Sequence, residues 1–217
     1  MITETYLDGS ARMDCPINLM PSPGQYLLAH ADASDAPLPV PLFLYDSAPQ
    51  GFRFAPPYPA SWTIGTKLNL RGPLGHGYSL TPSVRKVALM AVDDHLMRLR
   101  GLISPALKQG AEIVVLSNGI VGDLPEVVEI QPLQTLNEIC KWADLIAVDI
   151  GRENLQQLKE MFGKLEQISA VREAQVLIRV PMPCGGLAEC SVCAITVHGQ
   201  WKMACKDGPV FFYEHIL

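Results

Sequence analysis

Short apolar segments separated by proline and glycine make up most of the first 80 residues. Segments of this kind, bounded by turn-forming residues, are typical of β-strands. We predict four strands here, at residues 25–30, 40–45, 61–64 and 67–70. Their shortness and close spacing indicate a small β-barrel or sandwich.

The pattern changes near Pro82, where nearly continuous apolar runs begin to alternate with segments of helical spacing. Such runs are typical of strands that are buried on both faces. They predict strands at 84–92, 111–116, 127–130, 145–150 and 175–180, and helices at 95–109, 135–143 and 154–165. Alternation of strands and helices implies a parallel α/β sheet.

The remaining segment, 181–217, is short, rich in loops and dense in cysteine. It is too small to build a core of its own, so a bound metal centre would have to organise it. The predicted fold class is therefore α/β plus β, with a barrel at 1–81, a central parallel α/β domain at 82–180 and a C-terminal module at 181–217.

Composition and charge argue against two classes of protein, nucleic-acid binders and membrane-spanning proteins. The 217 residues are 48% apolar and 18% charged, with 17 basic and 22 acidic side chains and a net charge of −5. An acidic chain lacks the basic surface that non-specific nucleic-acid binding needs. No apolar run approaches the roughly 18 residues of a membrane span, and the first residues do not resemble a secretory signal. We therefore expect a cytoplasmic protein with no nucleic-acid partner and no membrane span.

Four of the six cysteines fall within 22 residues, in the spacing C-x5-C-x2-C-x11-C. They are Cys184, Cys190, Cys193 and Cys205. A plant-type [2Fe–2S] loop has C-x4-C-x2-C and a distant fourth cysteine, which differs by one residue in the first gap. A closed zinc site with four thiolates and an incidental or redox-active set remain alternatives.

Four segments resemble one known family, the electron-transfer subunits of dihydroorotate dehydrogenase. The most specific are Cys-Lys-Asp-Gly-Pro-Val-Phe at 205–211 and Arg-Gly-Pro-Leu-Gly-His-Gly-Tyr at 71–78. Pro-Met-Pro-Cys-Gly-Gly at 181–186 is similar to the family's approach to its first cluster cysteine, and Pro-Gly-Gln-Tyr at 23–26 matches an early barrel strand.

The resemblance implies a ferredoxin-reductase-like layout with an FAD-binding barrel, a nucleotide-binding α/β domain and a C-terminal [2Fe–2S] module. In that family, electrons pass from NADH to FAD, to the cluster and then to a flavin in a catalytic partner. It implies Cys184, Cys190, Cys193 and Cys205 as metal ligands. Gly75, His76 and Gly77, at the expected domain junction, are candidate flavin contacts. The implied partner is a flavin-containing dihydroorotate dehydrogenase of pyrimidine biosynthesis, in a hetero-oligomer.

Two segments depart from the family. Residues 40–44 read Val-Pro-Leu-Phe-Leu, without the arginine that pairs with the FAD pyrophosphate, so FAD binding is uncertain. Residues 90–97 read Met-Ala-Val-Asp-Asp-His-Leu-Met, where the family has a glycine-rich turn. Carboxylates repel phosphates, and side chains block close approach to the backbone, so NAD binding is unlikely. Asp93, Asp94 and His95 are instead expected to begin a helix, or to form a metal or acid–base site.

Intact cysteines beside altered nucleotide motifs predict an electron-transfer subunit that contributes no residues for substrate chemistry. Two other functions remain open. One is a non-redox assembly or regulatory protein with a structural zinc on the four cysteines. The other is a complete NADH:acceptor reductase with unusual cofactor contacts.

Overall fold

The computed structural model describes residues 1–32, 38–93, 96–119, 121–163 and 173–216. Two six-stranded sheets and one two-stranded hairpin make up its β-structure. No helix among these residues has both the length and the apolar character needed to cross a membrane.

The first sheet is antiparallel throughout, with the order β1-β2-β5-β4-β3-β6. Its strands are β1 (Ile2–Thr5), β2 (Ala11–Asp14), β3 (Tyr26–Ala31), β4 (Val40–Ala48), β5 (Gly51–Phe54) and β6 (Leu68–Leu74). The Ile2 N–H donates to Thr66 O at 2.9 Å, and Ile2 O accepts from the Gly65 N–H at 2.9 Å. These bonds join the first strand to the segment before β6, which brings the two edges together as in a barrel.

Strand β3 serves two cores because successive side chains point to opposite faces of a sheet. Leu27 and Ala29 are buried inside the barrel. Tyr26 and Leu28 belong instead to a larger core that includes the second sheet and the C-terminal segment. The barrel is therefore packed against the rest of the molecule through the outer face of β3.

The prediction of a strand at 61–64 is wrong, because this segment forms turns. The Trp62 N–H donates to Pro59 O at 2.9 Å, and the Trp62 ring is 4% exposed within the barrel core. Trp62 thus fills the barrel rather than extending its sheet, whereas Ile64 is exposed. The sequence pattern also did not predict strands β1, β2 and β5, which have only four residues each.

The second sheet begins with five parallel strands: β7 (Lys86–Ala91), β8 (Glu112–Leu116), β9 (Val128–Gln131), β10 (Leu145–Gly151) and β11 (Glu173–Arg179). The helices between them are α1 (Ile103–Lys108), α2 (Leu136–Trp142) and α3 (Leu155–Gly163). The predicted parallel α/β sheet is confirmed. Residues 164 and 165, the end of the third predicted helix, lie outside the described residues.

The helix predicted at 95–109 is shorter than expected. It starts at Ile103 after a 3₁₀ turn, and residues 94 and 95 lie outside the described residues. The buried residues Leu96, Leu99 and Leu102 are three positions apart, and i→i+3 hydrogen bonds of 2.9 Å link them in order. Spacing of three fits the 3₁₀ geometry, which has three residues per turn.

The C-terminal segment contains the hairpin β12 (Ala194–Val197) and β13 (Gln200–Met203), the short helix α4 (Ala204–Asp207) and strand β14 (Val210–Phe212). Strand β14 pairs antiparallel with β11, which gives the second sheet the order β14-β11-β10-β7-β8-β9. The segment between β11 and β14 is therefore fixed at both ends to neighbouring strands. The boundaries predicted at 81 and 180 stay predictions.

Candidate functional site

The four clustered cysteines lie on the excursion between β11 and β14. Cys184 follows β11, Cys190 and Cys193 precede the hairpin, and Cys205 is in α4. Cys193 and Cys205 are buried, Cys184 is half-buried and Cys190 is exposed, all as free thiols. The Ala204 N–H donates to Cys193 O at 3.1 Å, which fixes the start of α4 beside Cys193.

The four thiols affect one another's ionisation. Burial, a hydrogen bond with the Cys193 thiol and the nearby charge of Cys193 raise the pKa of Cys205 to about 12. The charge of Cys184 adds to the same rise.

Backbone N–H groups point at the sulfurs. Burial raises the pKa of Cys184, but hydrogen bonds from the backbone at Glu189, Cys190 and Leu187 and from the Cys190 thiol lower it to about 6. A backbone bond from Ala188 reaches Cys205. Donors aimed at a sulfur stabilise the thiolate, which is the form that binds metals.

Left-handed backbone conformations aim these donors. Gly185, Gly186, Ala188 and Ser191 have φ angles of 65°, 76°, 62° and 56°. For a residue with a side chain such a conformation costs about 1–2 kcal/mol, so Ala188 and Ser191 keep it at an energetic cost. The small residues of this segment are therefore explained by the tight coil of the backbone around the sulfurs.

The donor set fits an iron–sulfur cluster. Iron–sulfur clusters are held by cysteine thiolates, with N–H groups that donate to the sulfurs. The four cysteines and the backbone donors at Cys184 and Cys205 match that requirement.

Several side chains outside the loop donate to its backbone carbonyls, and three of them reach carbonyls at or next to cysteines. The Tyr26 hydroxyl donates to Cys205 O at 2.7 Å, Arg71 Nη2 to Gly185 O at 2.6 Å and Arg152 Nη1 to Val192 O at 2.7 Å. Sequence reasoning assigned none of them to the site. Tyr26 and Arg71 lie in segments that resemble the family, whereas nothing in the sequence singles out Arg152.

Gly75, His76 and Gly77 are joined to the chain just after Cys205. The His76 N–H donates to Gly208 O at 2.5 Å, and its carbonyl accepts from the Val210 N–H at 3.3 Å. A Cβ on Gly75 would lie 2.5 Å from Gly208 O, so close backbone packing requires glycine there. His76 also lines a cavity of about 380 Å³ with Gln175 and Phe212. The flavin contact of these three residues stays a prediction.

A network of charged side chains fills the carboxyl ends of β7, β10 and β11. Asp93 accepts from the Gly151 N–H at 2.8 Å and also pairs with Arg179. Arg179 Nε contacts Asp149 at 2.8 Å, and Arg98 contacts Asp149 at 3.5 Å. Asp93 therefore links neighbouring strands. It does not begin a helix, and the expected partners Asp94 and His95 lie outside the described residues.

Burial dominates the electrostatics of this network. It raises the pKa of Asp149, with Arg98 and Arg179 opposing the shift. Burial also lowers the pKa of Arg98, with Asp149 opposing. The network contains two acids and two bases, so its formal charges cancel.

These residues do not fit a nicotinamide dinucleotide. The order of the sheet reverses between β7 and β10, and ligands of open α/β sheets bind outside the carboxyl ends of strands at such a point. A phosphate there would meet Asp93, whose carboxylate repels it, and Arg179, which is already paired. The expectation that NAD binding is unlikely stays a prediction.

Comparison with known proteins finds relatives of the cysteine loop and of the whole fold. Residues 182–217 match the family model described as the iron–sulfur cluster binding domain of dihydroorotate dehydrogenase B. Over its whole length the chain is similar to a solved NADH-dependent reduced ferredoxin-NADP oxidoreductase, a flavin-based electron-bifurcating protein. The TM-score is 0.76 and the identity 17%, with 88% of that chain covered.

Two further structures share the fold. The ferredoxin-NADP+ reductase from Plasmodium falciparum has a TM-score of 0.55 and 8% identity, over 82% of this chain and 94% of that one. The ferredoxin reductase in carbazole 1,9a-dioxygenase has a TM-score of 0.54 and 13% identity, over 78% and 62%. The chain thus has a ferredoxin-reductase-like fold, and its C-terminal segment 182–217 is similar to the iron–sulfur cluster binding domain of dihydroorotate dehydrogenase B.

Proposed function

We propose that this chain is an electron-transfer subunit that relays single electrons through a [2Fe–2S] cluster between a flavin and a catalytic partner. The cluster's ligands are Cys184, Cys190, Cys193 and Cys205. The observation that carries this proposal is that all four cysteines lie on the excursion between β11 and β14, within the residues that match an iron–sulfur cluster binding domain. Each iron of such a cluster takes two terminal ligands, so four thiolates serve two irons.

The residues around the thiols suit an electron relay. When bound, the cluster supplies a centre that accepts and releases one electron. The backbone N–H groups of 187–190 stabilise negative charge on the sulfurs. Cys193 and Cys205 belong to the large core, which excludes water from their side of the loop, whereas Cys190 is exposed. Electrons therefore enter or leave on the Cys190 side.

The proposed partner is a flavin-containing dihydroorotate dehydrogenase. The description of the matched family model and the resemblance of segments 71–78 and 205–211 support it. The sequence has no Ser–His–Asp order, P-loop or HExxH motif, so substrate chemistry belongs to the partner. The working protein is then a hetero-oligomer that acts in pyrimidine biosynthesis.

The visible spectrum of anaerobically purified protein tests the cluster. We expect bands near roughly 420 and 460 nm that bleach with dithionite, and about two iron and two sulfide per chain. A colourless protein with one zinc would overturn the proposal in favour of a structural zinc site.

The response to NADH separates a relay from a complete reductase. Dithionite should bleach the purified protein, and NADH added in its place should not. The carboxylate of Asp93, at the carboxyl ends of the central strands, repels phosphate, and Arg179 beside it is already paired. Bleaching by NADH, together with a resolved flavin band, would show that this chain is itself an NADH reductase.

A further inference from the structure

Two arginines contact opposite halves of the cysteine loop. One comes from the barrel sheet and the other from the end of a strand in the central sheet. Arg71 lies on β6 of the barrel, and Arg152 directly follows β10 of the central sheet. Both donate to backbone carbonyls that are next to cysteines. Their hydrogen bonds go to the cysteine loop and not to Asp93 or Asp149.

Arg71 contacts the half that contains Cys184. It pairs across the sheet with Leu28, on the face of the barrel that meets the C-terminal segment. Its Nη2 donates to Gly185 O at 2.6 Å and would lie 3.6 Å from a Cβ on Gly186. The Tyr26 hydroxyl, 3.1 Å from a Cβ on the same glycine, donates to Cys205 O at 2.7 Å. Arg71 and Tyr26 therefore hold the loop from the same face of the barrel.

Arg152 contacts the half that contains Cys193. Its Nη1 donates to Val192 O at 2.7 Å and to Ala194 O at 3.3 Å, the carbonyls on either side of Cys193. The hydrogen bond from Ala204 to Cys193 O joins the same stretch to α4. Arg152 thus fixes the backbone at the second thiol pair.

We infer that Arg71 and Arg152 are positioning residues that fix the two halves of the cluster loop and place a positive charge beside each, which makes the cluster easier to reduce. This inference rests on the proposed function. A cluster with four thiolate ligands is anionic, and reduction adds one more negative charge. A cation close to it favours the reduced form by Coulomb attraction.

The test is the midpoint potential of the full chain, measured by anaerobic redox titration with visible and EPR detection. Arg71→Gln and Arg152→Gln should each shift the potential to a more negative value, and the double variant should shift it furthest. Arg71→Lys and Arg152→Lys, which keep the charge, should remain nearer to the wild type. Higher salt should reduce the differences, because both arginines are exposed and screened.

Arg85→Gln is the matched control. Arg85 also donates to backbone carbonyls, those of Pro82 at 2.6 Å and Val84 at 3.0 Å. It precedes β7 at the amino end of the parallel strands, whereas Arg152 follows β10 at the carboxyl end. If both glutamine variants have a full cluster and the same potential as this control, the inference is overturned.

Hydrogen exchange of the metal-free chain tests the positioning without the cluster. Arg71→Gln should speed exchange of the Gly185 amide, which bonds to Met182 O, and Arg152→Gln that of Ala194, which bonds to Ser191 O. Rates equal to those of Arg85→Gln would contradict a positioning role. A wild-type chain that takes up no iron and sulfide would overturn the proposed function, and this exchange measurement would still decide the role of the arginines.

Discussion

The cysteine loop and the carboxyl edge of the central sheet treat their polar groups in opposite ways. In the loop, backbone N–H groups donate to the sulfurs of Cys184 and Cys205. At the sheet edge, Asp93 and Asp149 are bonded to Arg179, Arg98 and the Gly151 backbone. In the loop, the backbone N–H donors point at sulfurs that can bind a metal. At the sheet edge, the carboxylates and guanidinium groups are paired with each other.

This difference follows from the cost of burying charge. Buried charges must be paired, because an unpaired ion in a protein interior is very unfavourable. The acid–base network meets this condition at the carboxyl ends of strands that pair in regular parallel register.

Removal of one buried thiol should have the largest effect. Cys205→Ser deletes a ligand that is 2% exposed, so we expect the purified protein to lose most of its iron and its visible absorbance. Cys15→Ala, outside the loop, is the control and should retain both. Retention of the full iron content by Cys205→Ser would remove the contrast between the two regions.

Loss of the central carboxylate should have the next largest effect. Asp149→Asn leaves the buried Arg98 without its ionic partner, which should lower the free energy of unfolding by about 3–5 kcal/mol. Urea unfolding of the full chain measures it, with Glu126→Gln on the surface as control. A loss no larger than that of the control would show that the network does not stabilise this edge.

The attachment of the loop to the barrel should contribute less. Tyr26→Phe leaves the buried carbonyl of Cys205 without its donor, so we expect a loss of about 1–3 kcal/mol in the same unfolding experiment. Tyr58→Phe, whose hydroxyl lies 3.5 Å from Ser10 O, should lose less. Equal losses would mean that the bond to Cys205 does not support the loop.

The partly exposed ion pair between Asp8 and Arg53 should have the smallest effect on stability. Burial raises the pKa of Asp8, but hydrogen bonds from Ser10, Tyr45 and Arg53 outweigh it and lower the pKa from 3.8 to about 2. Its stabilisation is therefore complete above pH 3.8 and is lost as the pH falls toward 2. Because solvent screens the pair, we expect less than about 1 kcal/mol.

The measurement is the difference in unfolding free energy between the wild type and Asp8→Asn as a function of pH. The difference should shrink as the pH is lowered from 5 to 2 (values chosen to bracket the two pKa values). A difference that stays constant over this interval would contradict the assigned pKa shift. A difference as large as that of Asp149→Asn would remove the distinction between buried and screened pairs.

The parallel sheet and the cysteine loop could be predicted because their signals are local. Apolar runs reveal β7, β8 and β10, and the spacing of the cysteines reveals the loop whatever surrounds it. Strands β1, β2 and β5 could not be found, since four residues with mixed polarity carry little periodicity. The strand predicted at 61–64 is wrong because an apolar side chain such as Trp62 can fill a barrel without belonging to a strand.

The contacts that define the site come from distant parts of the chain. Arg152 and Val192 are 40 positions apart, and Arg71 and Gly185 are 114 apart. Tertiary packing alone brings such groups together, so single-residue chemistry cannot reveal them. The same is true of the Asp93–Arg179 pair, which turns an expected helix start into a link between strands.

The pairing of β14 with β11 has an entropic consequence for how the loop receives its metal. Residues 180–209 form a closed excursion, since Val176 lies opposite Phe211. Closure of a flexible loop of about 30 residues costs about 3 kcal/mol by the logarithmic dependence on length. The sheet meets that cost through its own hydrogen bonds and apolar packing. Iron and sulfide therefore meet a chain whose ends are already joined, and less of their binding energy is spent on restricting it.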